Sequence, residues 1–288
     1  MPDPRKVLAT VSKATELTRR TPGRSGSVVS LDAADEVMVV GDLHGNLSAF
    51  RWVLTEAALD RHPGRHLVLQ ELVHEINKNQ DDRPDLSHRL VDLVSALKCQ
   101  YPDRVHLILG NHELSEVTGR IIGKDGQALN LRFRKGMQLS YGEACDEIFQ
   151  AYLGLFSALP LAVRTPNRVF MCHSIPDGRY LDDLDLSVLA ADDWPPESMK
   201  RGGAVYAITW GRDTATETID RFAAMVDADL FVTGHQPCEE GYRQANHRQL
   251  IIDGTNPYPT YCRFSAKEPA TIESLVSSVK VMNVLSAS

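Results

Sequence analysis

Residues 37–46 read VMVVGDLHGN, four apolar side chains followed abruptly by Gly41, Asp42, Leu43, His44, Gly45 and Asn46. A short apolar run ending in a polar, glycine-bearing turn predicts a strand buried on both faces. The construction recurs along the chain. HLVLQ (66–70) stops at Glu71, and VHLIL (105–109) stops at Gly110, Asn111, His112 and Glu113. RVFMC (168–172) stops at His173, and LFVT (230–233) stops at Gly234 and His235. Helical patterns fall between these runs at 48–59, 86–99, 143–159 and 217–226. Apolar strands alternating with helices predict an α/β fold. In open α/β folds ligands bind beyond the carboxyl ends of the strands. Five strand ends carrying His, Asp, Glu or Asn therefore predict one site assembled from distant loops.

The composition agrees with a globular protein. With 288 residues, 43% hydrophobic and 24% charged, the chain resembles neither a disordered nor a collagen-like nor a disulfide-rich sequence. A chain of this length buries roughly three-quarters of its unfolded surface. Its 38 acidic and 31 basic residues leave a net charge of −7, which argues against a nucleic-acid partner. Cys99, Cys145, Cys172, Cys238 and Cys262 are scattered without a Cys-x-x-Cys pair, as expected in a reducing compartment. The N-terminus carries no apolar stretch of signal-peptide length, and no window approaches a membrane span. A soluble, cytoplasmic protein with no membrane partner is expected. Residues 6–19 show helical spacing and 21–27 read as a loop, so 1–30 is expected to be a helix and linker. Residues 31–288 are then a single domain.

Asp42, His44, Glu71, Asn111, His112, His173 and His235 form a mixed nitrogen and oxygen donor set. Such a set suits Mn, Fe or Zn better than Ca or Mg. It is large enough for two ions sharing a carboxylate. Two metals about 3.5–4 Å apart can clamp a phosphoryl group and generate a bridging hydroxide.

GDLHGN, GNHE, the lone His173 and the pair Gly234-His235 together resemble the metallophosphoesterases, and most closely the phosphoprotein phosphatase branch of eukaryotic-type Ser/Thr phosphatases. Stretches away from the donors support that branch: FSALPLAVRTPNRVFMCHS (156–174), AITWGRD (207–213), HQPCEEGYR (235–243) and RQLIIDGTNPYPTYC (248–262). The resemblance runs from about residue 37 to 264. It implies a calcineurin-like metallophosphoesterase sandwich, two packed mixed β-sheets flanked by helices. It makes Asp42, His44 and His235 ligands of one metal, Asn111 and His173 ligands of the other, and Glu71 the bridge. His112 becomes the general acid for the leaving alkoxide, assistance worth roughly 10²–10⁴-fold. Arg212 falls near a substrate-binding arginine, and Tyr261 in a loop that overhangs the site, with ordinary strand packing as its other reading. The implied cofactors are two metal ions, Mn first, with Fe or Zn as alternatives. The implied substrate is a phosphorylated protein or a small phosphoester.

The second motif departs from the family pattern. Where the family has Gly-Asp-x-Val-Asp-Arg-Gly, this chain has QELVHEI (70–76). Glu71 replaces the bridging Asp, His74 the Asp that orients the catalytic His, and Glu75 the phosphate-binding Arg. His74 is open to three readings: a ligand, a partner of His112, or a surface histidine. A carboxylate where an arginine is expected swings phosphate binding by about 6 kcal/mol at 5 Å and an effective dielectric of 20. The basic stretch 119–136 offers replacement cations, or else forms a solvated face or cover. Three functions follow: a Ser/Thr-type phosphomonoesterase; a phosphodiesterase or dinucleoside polyphosphate hydrolase; or a catalytically weakened, metal-stabilised binding protein.

Overall fold

Along the first predicted strand, alternate side chains enter different cores. Val37 and Val39 join one apolar cluster, Met38 and Val40 the other. Successive strand residues point to opposite faces, so a strand covered on both sides reads as the unbroken VMVV. The computed structural model describes residues 3–76, 83–124, 127–255 and 257–283.

Among these residues the strands are β1 (Arg24–Ser25), β2 (Val28–Ser30), β3 (Glu36–Val40), β4 (Arg65–Gln70), β5 (Val105–Ile108), β6 (Gly123–Lys124), β7 (Gln127–Ala128), β8 (Ala162–Arg164), β9 (Val169–Cys172), β10 (Leu230–Thr233), β11 (Tyr242–Gln244), β12 (Gln249–Ile252), β13 (Thr260–Ser265) and β14 (Val279–Val281). The helices are α1 (Pro4–Arg19), α2 (Leu47–Ala57), α3 (His88–Gln100), α4 (Asn111–Thr118), α5 (Leu129–Tyr141), α6 (Cys145–Ser157), α7 (Ser187–Ala190), α8 (Ala204–Trp210), α9 (Thr216–Val226) and α10 (Ile272–Ser277). Two mixed sheets result, ordered β1-β2-β8-β9-β10-β12-β11 and β14-β13-β3-β4-β5, with β6 and β7 forming a small hairpin. Val37, Val39 and Val68 of one sheet meet Val163, Met171, Val232 and Leu250 of the other in the inter-sheet core. The second cluster joins the outer faces of β3, β4 and β9 to the helices. This is the expected sandwich of two mixed sheets flanked by helices.

Two expectations change. The helix expected within 1–30 is present as α1, but the stretch after it is not a linker. Val7, Val11 and Ala14 of α1 enter the core, and β2 pairs in parallel with β8, so the segment belongs to the larger sheet. Residues 129–141, inside and just beyond the basic stretch, form helix α5 rather than a cover. Leu129, Phe133, Met137 and Tyr141 are buried at four-residue spacing, and the interleaved Arg132, Arg134 and Lys135 masked that stripe. His66 of β4 and His106 of β5 form a buried ring pair with nitrogens 3.0 Å apart.

Candidate active site

The carboxyl ends of β3, β4, β5 and β10 open into one cavity of about 460 Å³. Asp42, His44, Glu71, His74, Asn111, His112, Arg212 and His235 line it, and His173 is fully buried behind them. Sharp turns aim these side chains. Seven described non-glycine residues have positive φ, and four of them are His44 (42°), Glu71 (50°), His74 (66°) and His235 (66°). Left-handed backbone costs these residues about 1 kcal/mol or more each and persists only where the surroundings enforce it. Here the loops enforce it on one another: the N–H groups of Leu43 and His44 donate to the Glu71 carbonyl at 3.0 and 2.8 Å. Close packing also explains Gly110 and Gly234. A Cβ at Gly110 would lie 2.0 Å from Glu71 Oε2, and one at Gly234 would lie 2.2 Å from Asp42 Oδ1.

The protons on His173 can be assigned. Gln70 Nε2 donates to the Val40 carbonyl, which turns Gln70 Oε1 towards His173 Nδ1 at 2.9 Å. Nδ1 therefore carries the hydrogen, and Nε2 carries a lone pair. That lone pair faces Asn111 Oδ1 at 2.9 Å and Glu71 Oε2 at 2.9 Å, two further acceptors. His235 Nδ1 lies 2.7 Å from the same Asn111 oxygen. Burial holds His173 below the ordinary histidine range and His112 and His235 well below it, with neighbouring histidines pushing His112 and His235 the same way, so all three rings are neutral in the metal-free chain. Asp42 Oδ1 and Glu71 Oε2 are buried without a hydrogen-bond partner among the described residues. Burial pushes both carboxyls up to about 8. Lone pairs converging at these spacings match donors that share a cation with bonds of about 2.0–2.2 Å. The residues present therefore fit a metal centre.

The donors divide differently from the expected sets. His235 places its ring beside Asn111 and His173, and meets Asp42 only through its backbone N–H, which donates to Asp42 Oδ2 at 2.8 Å. It therefore stands with Asn111 and His173 rather than with Asp42 and His44. His44 Nδ1 donates to the Val73 carbonyl at 3.0 Å, so its lone pair is on Nε2. His44, Glu71 and His112 bring ligand atoms within 4.8 Å of one another.

The altered second motif is firmly built. Glu113 Oε1 accepts from the N–H groups of Leu72 and Val73 at 2.7 and 3.1 Å, and the His74 N–H donates to Ser87 Oγ. His74 is a partner of His112, the second of its three readings. Its Nδ1 lies 2.9 Å from His112 Nδ1, and its Nε2 lies 2.6 Å from Glu116 Oε1. The carboxylate fixes the hydrogen on His74 Nε2. His74 Nδ1 then accepts from His112 Nδ1–H, which directs His112 Nε2 at the cavity. Glu116 thus supplies the negative charge that the change to His74 removed. Spacing could have revealed it, because His112 and Glu116 are i and i+4 on α4 and share a face. Gln70, which orients His173, lacked any such signal.

Glu75 does line the cavity, but its carboxylate accepts from the Leu86 N–H at 3.4 Å, and Arg132 lines the same wall. Burial raises the Glu75 carboxyl, with Arg83 and Arg132 pulling the other way. Arg212 is exposed at the cavity, and its charge acts on Glu71, His173 and His235. Tyr261 is not at the site. It is 3% exposed, opposite Val40 in the β13–β3 pairing, and its hydroxyl donates to Glu56 at 3.0 Å. Strand packing, the other reading of Tyr261, is the one observed.

Comparison with known proteins agrees with this fold. The family model of the calcineurin-like phosphoesterases matches residues 36–239, and the chain belongs to that family. A protein of Encephalitozoon cuniculi (strain GB-M1) named as a probable serine/threonine-protein phosphatase is 26% identical over 237 residues, covering 75% of this chain and 46% of that protein. Serine/threonine-protein phosphatase 7 of Arabidopsis thaliana is 28% identical over 143 residues, half of this chain and 30% of that one. The chain thus spans less than half the length of these two relatives. Among solved structures, a serine/threonine phosphatase from Saccharomyces cerevisiae superposes with a TM-score of 0.67 at 19% identity, covering 91% of this chain and 83% of that one. A cold-active protein-tyrosine phosphatase of a psychrophilic Shewanella gives 0.54 at 14% identity over 84% of this chain and 82% of that one.

Proposed function

We propose that the chain is a metal-dependent phosphomonoesterase acting on phosphorylated serine or threonine in proteins. The observation that carries this reading is the convergence of buried lone pairs from Asp42, Glu71, Asn111, His173 and His235 beside His112. Asn111, His173, His235 and Glu71 would hold one cation; Asp42, His44 and the same Glu71 would hold the other. Mn fits the mixed donors, with Fe and Zn next. Two cations there would bind the phosphoryl oxygens and activate the attacking water.

The chain's own residues supply the remainder. Arg212 faces the cavity with a charge suited to a phosphoryl oxygen. Water oxygen attacks phosphorus as the bond to the serine oxygen breaks; the doubly protonated His112 gives its Nε2 proton to that departing oxygen and keeps its Nδ1–H on His74, while the attacking water's protons leave with the phosphate. His74 and Glu116 hold the His112 ring in that orientation and stabilise its charged form. No described helix is long and apolar enough to cross a membrane. All five cysteines are free, which supports a reducing, cytoplasmic setting.

The test compares a phosphoserine peptide, p-nitrophenyl phosphate and bis-p-nitrophenyl phosphate with Mn²⁺ present or chelated. Metal-dependent hydrolysis of the monoesters, lost in His112→Ala for the peptide, is expected. Faster hydrolysis of the diester would favour a phosphodiesterase. Full metal binding with no hydrolysis of any substrate would favour a binding protein.

A further inference from the structure

A second cleft of about 320 Å³ shares the Trp210 wall with the catalytic cavity. Tyr206 and Trp210 are i and i+4 on α8, and their rings stack at 5.6 Å. Past the left-handed Gly119 that ends α4, Arg120 lays its guanidinium over both rings, 5.1 Å from Tyr206 and 4.8 Å from Trp210. Arg179 stacks on Tyr180 at 4.8 Å with one arm on Asp177 at 3.1 Å, and Arg201 completes the wall. Three guanidinium groups thus face one carboxylate, on a chain whose net charge is −7. No described carboxylate pairs with Arg120 or Arg201. A stacked guanidinium is immobilised with its edge donors outward, which lowers the ordering cost of taking an anion.

We infer that this cleft is a second anion subsite, taking an acidic or phosphorylated side chain about three residues from the phosphate undergoing hydrolysis. The inference rests on the proposed hydrolase reading. Trp210 sets the spacing: its ring lies 6.1 Å from the His235 ring and 4.8 Å from the Arg120 guanidinium. The Arg120 guanidinium therefore lies no more than about 11 Å from the His235 ring, a distance that roughly three extended residues span. A nucleobase is a poorer occupant, because Tyr206 and Trp210 are already covered by each other and by Arg120.

The experiment uses Mn-loaded protein and peptides sharing one phosphoserine, with Glu, a second phosphoserine or Ala three residues to either side. Two or three partly exposed charge pairs are worth roughly tenfold in KM. A KM about tenfold lower for the acidic peptides on one side is expected, shrinking in 0.5 M NaCl. Arg179→Ala/Arg201→Ala, which leaves Trp210 untouched, and Arg120→Ala/Arg201→Ala should each abolish that advantage. Hydrolysis of p-nitrophenyl phosphate, which occupies only the catalytic cavity, should stay within about twofold. Equal KM for acidic and Ala peptides, or an advantage that survives both double variants, would overturn the inference. So would a loss confined to dinucleoside polyphosphate hydrolysis, which would make the cleft a nucleotide subsite. If p-nitrophenyl phosphate is not hydrolysed at all, the hydrolase reading fails separately. Fluorescence anisotropy of the same peptides then tests the cleft, and equal affinities would overturn it.

Discussion

Replacing Glu116 by Gln tests whether this carboxylate, acting through His74, supports His112 as the proposed general acid. Gln preserves shape and an accepting oxygen for His74 but removes the charge. The 2.6 and 2.9 Å contacts on either side of the His74 ring put the Glu116 carboxylate about 8 Å from His112 Nδ1. Glu116 is 6% exposed, so solvent screens it little. At an effective dielectric of 20, a unit charge at that distance stabilises a histidinium by about 2 kcal/mol, or roughly 30-fold in rate. The loss must depend on the leaving group. A serine alkoxide needs a proton as it departs, whereas p-nitrophenolate departs without one. Steady-state kinetics of Glu116→Gln should show kcat on a phosphoserine peptide falling about 30-fold, with less than threefold loss on p-nitrophenyl phosphate. Adding His74→Asp, which puts a carboxylate directly beside His112, should recover most of the loss. Equal losses on both substrates would refute the arrangement, since a merely structural defect affects both alike.

Other outcomes follow from the same geometry. Asp42 and Glu71 titrate near 8 in the metal-free folded chain, far above their unfolded values. Above about pH 7 the folded state then binds more protons than the unfolded one, so metal-free stability falls as pH rises; below that, the histidines that burial holds low (His66, His88, His106, His112, His173 and His235) act in the opposite sense, because their unfolded forms take up protons that the folded forms do not. Calorimetry should show the metal-free Tm declining from pH 7 to 8 and the Mn²⁺-induced increase in Tm growing over that range; the opposite trend would contradict the assignment. Arg212→Ala should raise KM for a phosphoserine peptide about tenfold while leaving Tm unchanged, and an unaltered KM would remove it from substrate binding. Tyr261→Phe loses one hydrogen bond to Glu56, about 1 kcal/mol. Tm should drop by a few degrees with KM constant; a raised KM would return Tyr261 to the site.

Buried parallel strands announce themselves as unbroken apolar runs, so the positions of Asp42, Glu71, Asn111, His173 and His235 at strand ends were legible before any coordinates. Which of them touch one another was not. It depends on the left-handed backbone at Glu71 and His235, which turns His235 towards Asn111, and no local propensity encodes that turn. Helix α5 was hidden because its apolar stripe is interleaved with arginines. Tyr261 was misplaced for a related reason: motif similarity locates a residue along the chain, while its pairing with Val40 decides which face of the sheet it occupies. The departure at His74 looked like a lost charge. Its compensation lies on another element, in Glu116, one turn beyond His112.

Titrating metal-free protein with Mn²⁺ while following p-nitrophenyl phosphate turnover, in wild type and Glu71→Ala, examines the two-cation site most directly. Activity should rise to a plateau at two Mn²⁺ per chain and be lost in Glu71→Ala, whose carboxylate both ions would share. Turnover that needs no metal, that saturates at one ion, or that survives in Glu71→Ala would contradict a shared dinuclear centre.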